Sequence, residues 1–301
     1  MAPWKYAMGP EGRHMVIEWM IYAAVSAILL SLRPSFMKTG VQHAAPSAAS
    51  AVYASILLAF SVGAGIVTGQ ISDFGGLGNL TLLYLAVAGV LEAAVILCLF
   101  TALSTGGVQR VMPISNLESV LTLIVSMVAF SAGHGLWRLC CVVLVLLGTV
   151  LMESRSQKGR GYRWLLFSFL SLAAAVTLAV LEERVIAGVT STVCLVAENA
   201  VAAILLWVLT LTGKAAKSLK RLKLENWVYL ALSGVVGGLA LLCDAQVAAH
   251  TDASWFAPIG CMTFPLMMLF ARVFHKEKLP GSAAFGLALV VGGTFGLLFG
   301  L

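Results

Sequence analysis

Residues 80–104 read LTLLYLAVAGVLEAAVILCLFTALS, a long apolar run in which Glu92 is the only charged side chain. A helix of about 20 apolar residues crosses the ~30 Å hydrocarbon core of a bilayer, so this stretch is long enough to span it. Backbone polar groups in lipid must be hydrogen-bonded within their own segment, and a helix achieves this. The run therefore predicts a transmembrane helix.

Comparable runs recur along the whole chain. Its 301 residues are 60% hydrophobic and 11% charged, with a mean hydropathy of +0.98. A soluble domain carries about 25% charged residues, so this composition excludes a sizeable soluble domain. The first run, from Ile17, is too long for a cleaved signal peptide. Apolar runs and turn signals predict ten spans: 17–38, 47–69, 80–104, 110–130, 136–152, 163–184, 190–211, 226–249, 254–274 and 281–300.

The sequence also resembles itself at a shift of 145 residues. Without gaps, Tyr84-Leu85-Ala86 falls on Tyr229-Leu230-Ala231, and Pro113-Ile114 falls on Pro258-Ile259. In the same register Gly89-Val90 meets Gly234-Val235, Leu97-Cys98 meets Leu242-Cys243, and Gly148-Thr149 meets Gly293-Thr294.

A repeated unit with an odd number of spans is inserted in opposite orientations. The prediction is an all-α integral membrane protein with ten transmembrane helices in two inverted five-helix repeats around a central cavity. Residues 1–16 would form an N-terminal tail, 17–152 the first repeat, 153–162 a linker and 163–301 the second repeat.

The basic residues indicate membrane topology rather than nucleic-acid binding. The net charge is +6, and Lys and Arg cluster in the loops after the fifth, seventh and ninth spans. Such loops face the cytoplasm, which would place both termini outside it. The six cysteines all lie in apolar runs, which favours buried thiols over disulfides, and their spacing fits no metal site.

Motifs around the fourth and ninth spans carry a family resemblance. Residues 102–104 (ALS) and 111–120 (VMPISNLESV) resemble the signature of the EamA-type drug/metabolite transporter superfamily. Residues 257–265 repeat this element, and Glu277-Lys278-Leu279 is similar to the family's short turn before the last helix. Residues 131–135 (SAGHG) depart from the family pattern because they lack that acid.

The resemblance implies ten helices, inverted repeats and transport of small metabolites through a central cavity. It does not define a substrate. Members often have cytoplasmic termini, which conflicts with the charge distribution, so the orientation stays open.

Five ionisable residues lie inside predicted spans: Glu92, Glu118, Glu198, Asp244 and Arg33. An ionised side chain at membrane depth costs ~2.5–3.5 kcal/mol, so it normally faces a cavity or a partner. A low dielectric disfavours the charged form of a carboxyl, and one carboxyl could then hold either a proton or a cation. This favours a cationic or zwitterionic substrate, with Glu92 and Glu118 as contact or coupling residues. The alternative for each acid is a purely structural role, in an ion pair or an interhelical hydrogen bond.

Arg33 would either neutralise an acid or bind a substrate carboxylate or phosphate. In the second case a zwitterionic or anionic substrate is favoured. Further candidates are Asn116 and Asn199, and aromatic side chains that could hold an ammonium group by cation–π contact or simply face lipid. The aromatic candidates are Tyr53, Trp255 and Phe264. The sequence Glu182-Glu183-Arg184 favours a solvated helix end.

The expected function is secondary active transport of small polar metabolites such as amino acids or amines. The protein would be an exporter or exchanger working by alternating access, with proton coupling, in a bacterial-type inner membrane. The expected partners are a small-molecule substrate and membrane lipids, with no nucleic acid, and the protein is a monomer or homodimer. We expect no cofactor, no metal and no enzymatic activity, since neither a phosphate-binding glycine loop nor a catalytic constellation is present. A flippase for a lipid-linked intermediate is the alternative, and an intramembrane transferase is a more distant one.

Overall fold

The structure, a computed structural model, describes most of two helical regions separated by a gap in the middle of the chain. The described residues are 10–42, 44–115, 117–118, 121–122, 143–144, 147–148, 162–185, 189–213, 215–220, 222–250, 263, 266–267, 269–270, 273–274, 285–286, 288–289 and 292–293. Within them the α-helices are α1 (Pro10–Gly40), α2 (Pro46–Thr68), α3 (Asn79–Thr105), α4 (Val108–Ser115), α5 (Arg163–Val185), α6 (Ser191–Thr212), α7 (Ala216–Leu219) and α8 (Leu224–His250). A 3-10 helix, Gln70–Gly76, connects α2 to α3.

Five of these helices are long and apolar enough to cross a membrane. They are Pro46–Thr68, Asn79–Thr105, Arg163–Glu182, Ser191–Thr212 and Leu224–Asp244. These helices confirm five of the predicted spans. A span of this kind can be predicted from the length and hydropathy of its own residues. The helix of the first predicted span begins at Pro10, earlier than the expected start at residue 17. Most of the fourth, fifth, ninth and tenth predicted spans lies outside the described residues.

Helix boundaries recur at the interval found in the sequence. Shifted by 145, Pro46–Thr68 becomes 191–213 and α6 is Ser191–Thr212; Asn79–Thr105 becomes 224–250 and α8 is Leu224–His250. The helix contacts of the two halves correspond under the same shift. The contact of α1 with α8 corresponds to that of α5 with α3, and the contact of α3 with α6 corresponds to that of α8 with α2. This pattern supports a two-fold relation between the described helices of the two halves. The ten-helix repeat itself stays a prediction.

The two ends of the helix bundle differ in charge. At the "basic end", Lys38 Nζ donates hydrogen bonds to the carbonyl oxygens of Leu103 (2.5 Å) and Gly106 (2.6 Å), and the Arg110 guanidinium lies 5.9 Å from the Trp164 ring centroid. At the opposite, "acidic end", Thr190 Oγ1 donates to Asp73 Oδ2 (3.1 Å).

The equivalent helices of the two halves run in opposite directions between these ends. Helix α2 begins at the basic end, where Thr210 Oγ1, near the end of α6, donates to the Ser47 carbonyl oxygen (2.9 Å). Helix α1 finishes at this end and α5 begins there. This antiparallel arrangement is the one that an inverted repeat requires.

Glycines bring helices of the two halves into close contact. A Cβ at Gly89 of α3 would lie 2.5 Å from Val201 Cβ of α6, and one at Gly234 of α8 would lie 2.7 Å from Ile56 Cβ of α2. Small residues allow membrane helices to approach closely, where packing rather than the hydrophobic effect holds them together.

We expect Gly89→Ala to destabilise the protein by about 1–3 kcal/mol, because the added methyl group overlaps Val201 at a packed helix contact. The measurement is the melting temperature of the detergent-purified protein. Gly63→Ala is the matched control, since no atom lies within 4 Å of the position that its added Cβ would occupy. Equal melting temperatures for the two variants would contradict the close α3–α6 contact.

Candidate functional site

Arg33 and Tyr53 form the centre of the candidate site. Arg33 lies in α1 and its side chain is hydrogen-bonded to that of Tyr53 in α2, which is 2% exposed. Arg33 Nε is buried and has no hydrogen-bond partner among the described residues. Pro34 follows inside α1, so the helix lacks one backbone donor at the residue after Arg33. The pair therefore presents a buried cation with donor capacity left over.

Gly237 of α8 provides the space for this pair. A Cβ there would lie 2.8 Å from Tyr53 Oη, 3.3 Å from Arg33 Cδ and 3.3 Å from Leu57 Cδ2. A glycine is thus needed where the backbone of α8 passes the tyrosine hydroxyl. Under the 145-residue shift Gly237 occupies the position of Glu92, so the two halves differ at this point.

Two carboxyl groups interact electrostatically with Arg33. Glu92 is at the middle of α3, on the same face as the buried residues Ala88 and Ile96. Glu118 follows α4 in a described helical segment. Both Glu92 and Glu118 act on Arg33, and they also act on each other. Four chain segments therefore contribute to one charged cluster, which we call the "central site": Arg33, Tyr53, Glu92 and Glu118.

Asp244 lies at the edge of the central site. Its Oδ1 accepts a hydrogen bond from Ser26 Oγ, which links α8 to α1, and its charge acts on Arg33. Asp244 is seven residues, two helical turns, after Gly237, so both residues share one face of α8. This hydrogen bond agrees with the structural alternative that the sequence left open for Asp244.

Glu198 and Asn199 form a separate group toward the acidic end. They are 3% and 2% exposed. Asn199 Nδ2 donates to Ser61 Oγ of α2 (3.0 Å) and to the Leu195 carbonyl oxygen (2.8 Å). The Glu198 carboxyl interacts electrostatically with that of Glu182 in α5. Glu92 interacts electrostatically with both Glu182 and Glu198, and Glu118 interacts with Glu182, so this group and the central site influence each other.

The structure thus brings together four of the predicted site residues, Arg33, Tyr53, Glu92 and Glu118, and places Asp244 beside them. Glu198 and Asn199 lie apart. Asn116, Trp255 and Phe264 lie outside the described residues. Sequence reasoning missed Gly237, Ser26, Ser61 and Glu182; of these, only Gly237 had a usable signal, because it aligns with Glu92 in the repeat register.

Comparison with protein families agrees with this architecture. The profile of the EamA-like transporter family matches residues 17–154, which include most of α1, all of α2 to α4 and the central site. Residues 17–154 are thus similar to the EamA-like transporters, which supports a relation of this chain to the drug/metabolite transporter superfamily. This EamA-like protein is accordingly a multi-pass membrane transporter.

A curated relative gives the same assignment. The EamA-like chain is 26% identical over 135 residues to a Sinorhizobium sp protein named "Uncharacterized transporter in cobO 3'region". The match covers 45% of this chain and 96% of the relative, so the relative is about half as long.

A solved structure matches nearly the whole chain. The crystal structure of a protein of unstated function superposes with a TM-score of 0.65 at 18% identity. The match covers 91% of this EamA-like chain and 95% of the other, which shows a shared fold.

Proposed function

We propose that this EamA-like transporter is a secondary active exporter or exchanger of small zwitterionic metabolites of the amino-acid type. The observation that carries the proposal is the convergence of one arginine with two glutamates at membrane depth in the central site. An isolated structural ion pair would need only one acid. The surplus of carboxyl groups and the unpaired Nε of Arg33 both leave binding capacity for a ligand.

The chemistry of the central site is complementary to a zwitterion. A guanidinium binds a carboxylate through two parallel N–H···O hydrogen bonds. A glutamate carboxylate accepts hydrogen bonds from an ammonium group. Trp255 and Phe264 remain predicted aromatic contacts.

Alternating access would follow from movement between the two halves. Contacts between the halves are made by small residues, including Gly89 against Val201 and Gly234 against Ile56, so that helices from different halves lie directly against each other. Inverted repeats of this kind expose a central site to either side in turn. We further propose that the carboxyl groups exchange protons for the substrate ammonium group, which couples transport to a proton gradient.

The orientation, membrane and oligomeric state of the protein are part of the same proposal. The basic end would face the cytoplasm, as the positive-inside rule indicates. We place the protein in a bacterial-type inner membrane, as a monomer or homodimer, with no requirement for a cofactor, a metal or nucleic acid.

We expect L-amino acids to raise the melting temperature of the purified protein, while matched amines and carboxylic acids raise it less. A ligand at 100 times its Kd stabilises the folded state by about 2.7 kcal/mol. Arg33→Lys and Glu92→Gln should each reduce the shift. Arg163→Gln, at an exposed residue of the basic end, is the control that keeps it. A shift given only by carboxylic acids would contradict zwitterion binding.

A further inference from the structure

The connections that follow α2 and α6 occupy equivalent positions in the two halves. Shifted by 145 residues, the 3-10 helix Gln70–Gly76 becomes 215–221, the region that contains the short helix α7. Each connection lies between two helices that are long and apolar enough to cross a membrane. We call residues 70–76 the "first connector", which lies at the acidic end, and residues 215–220 the "second connector", which lies at the basic end.

Each connector is hydrogen-bonded to the other half of the protein. At the acidic end, Thr190 Oγ1 donates to Asp73 Oδ2 of the first connector (3.1 Å). At the basic end, the Ala45 amide donates to Ser218 Oγ of the second connector (3.1 Å). A shift of 145 residues places Asp73 on Ser218 and Ala45 on Thr190. The two bonds therefore join the same pair of positions, once at each end of the bundle.

The partner of each connector is the residue directly before a membrane-crossing helix. Ala45 is the N-cap of α2 and Thr190 is the N-cap of α6, and both have an extended backbone. The Ala45 carbonyl oxygen accepts from the Ala48 amide (3.0 Å), and the Thr190 carbonyl oxygen accepts from the Val193 amide (2.9 Å). Each connector thus holds the first turn of a helix that belongs to the other half.

A second pair of equivalent contacts lies beside these bonds. At the basic end, Thr210 Oγ1 of α6 donates to the Ser47 carbonyl oxygen of α2 (2.9 Å). The shift places Gly65 on Thr210 and Thr192 on Ser47, and a Cβ at Gly65 would lie 3.6 Å from Thr192 Cγ2. At each end, therefore, the last part of one of these two helices meets the start of the other.

The connector bonds are placed where they can break and form again without unfolding. Asp73 lies outside the candidate membrane spans and is exposed, while Thr190, Ala45 and Ser218 are half-buried next to the helix ends. A hydrogen bond that can be replaced by one to water contributes little net stability. Opening either connector contact is therefore a small change compared with separating the packed helices.

We propose that these two hydrogen bonds are symmetry-related latches, one at each end of the bundle, which open independently of each other. The "acidic-end latch" is Thr190 with Asp73, and the "basic-end latch" is Ala45 with Ser218. We further propose that each latch must open in turn during transport, a part that rests on the proposed alternating access.

Both latches act on helices next to the central site. Helix α2, whose start is held by the basic-end latch, carries Tyr53. Helix α6, whose start is held by the acidic-end latch, packs against α3, which carries Glu92. An inverted repeat exposes a central site to the two sides in turn, and equivalent contacts at opposite ends are suited to this alternation.

Hydrogen–deuterium exchange of the protein in lipid, followed by mass spectrometry, tests the latches without substrate. The Ala45 amide is itself a latch donor, so Ser218→Ala should raise its exchange rate about fivefold, which corresponds to one hydrogen bond of about 1 kcal/mol. Thr190→Val should raise exchange in the first connector and leave Ala45 unchanged. The Thr190 side chain makes no cap hydrogen bond to α6, so this variant spares the helix start.

Thr212→Val is the matched control for the exchange experiment. Thr212 is exposed near the basic end, and its hydroxyl donates to the Val208 carbonyl oxygen of its own helix (2.7 Å). This variant should alter exchange neither at Ala45 nor in the first connector. If Ser218→Ala and Thr190→Val each raised exchange at both ends, or if neither raised it, independent latches would be overturned.

Reversible cross-linking tests whether transport needs each latch to open. Asp73→Cys with Thr190→Cys, and Ala45→Cys with Ser218→Cys, are made in the full chain after its six native cysteines are changed to alanine. A short bis-methanethiosulfonate reagent joins each pair, and a reductant releases it. Counterflow of radiolabelled L-amino acids, the exchange of labelled for unlabelled substrate without a gradient, should be lost on cross-linking and return on reduction.

Single-cysteine variants treated with the same reagent are the controls, since they cannot form the bridge and should keep counterflow. Counterflow that persists in either cross-linked protein would overturn the need for opening at that end. Absence of counterflow in the wild-type protein would contradict the transport proposal instead, while the exchange rates would still decide the latches.

Discussion

Arg33→Gln is expected to reduce counterflow of L-amino acids by about two to three orders of magnitude. Truncating one partner of a buried, hydrogen-bonded charge pair in a binding site typically costs about 2–5 kcal/mol of affinity, and 1.4 kcal/mol corresponds to a factor of ten. The variant also leaves Glu92 and Glu118 facing each other without the cation that acts on both. Counterflow in liposomes with matched protein content measures the effect.

The control for this result is Arg163→Gln, which removes an arginine of the same charge from an exposed position at the basic end. Elution of both variants as folded protein on size-exclusion chromatography separates loss of function from loss of fold. Counterflow by Arg33→Gln within threefold of the wild type would exclude Arg33 from substrate binding.

Gly237→Ala is expected to decrease counterflow at least tenfold although it changes no polar group. The added Cβ would lie 2.8 Å from Tyr53 Oη, so the tyrosine or α8 must move, and the Tyr53–Arg33 hydrogen bond moves with it. Overpacking of this kind costs about 1–3 kcal/mol of stability. Counterflow and melting temperature are the measurements.

A double variant distinguishes this mechanism from general damage to α8. Tyr53→Phe removes the hydroxyl that the new methyl group meets, so Gly237→Ala should cost less stability in the Tyr53→Phe background than in the wild type. Transport should stay low in the double variant, because the hydrogen bond to Arg33 is absent. Fully additive losses of stability would contradict the contact between Gly237 and Tyr53.

The membrane helices were predictable because their signal is local. The run at residues 80–104 has one charge and enough length to cross a bilayer, and the structure places α3 over Asn79–Thr105. The intramembrane acids were found by the same kind of argument, since a carboxyl in an apolar run must have a partner or a cavity. Neither inference required knowledge of which helices are neighbours.

The composition of the central site depends on packing between distant segments, and the sequence did not determine it. The sequence favours either cation–π contact with an ammonium group or a lipid-facing position for Tyr53, whereas its hydroxyl is hydrogen-bonded to Arg33 from another helix. Gly237 carries no charge and resembles many other glycines of the chain, yet the backbone of α8 meets Tyr53 there. Such a role follows only from three-dimensional contact.

The partners of Glu182 could not be predicted for a different reason. Its neighbours Glu183 and Arg184 favoured a solvated helix end, and Glu182 is indeed exposed. Its electrostatic interaction with Glu92 and Glu118 depends on the packing of α5 against α3 and α4, which two adjacent acids in a sequence do not reveal.

Counterflow by the wild-type protein in liposomes, compared across three related probes, tests the central claim most directly. The probes are a radiolabelled L-amino acid mixture, the corresponding amines without the carboxylate, and the corresponding carboxylic acids without the ammonium group. The account predicts exchange of the amino acids and at least tenfold slower exchange of both analogue sets. Equal exchange of amines and amino acids, or exchange of the carboxylic acids alone, would contradict a site in which Arg33 and the glutamates bind opposite ends of one substrate.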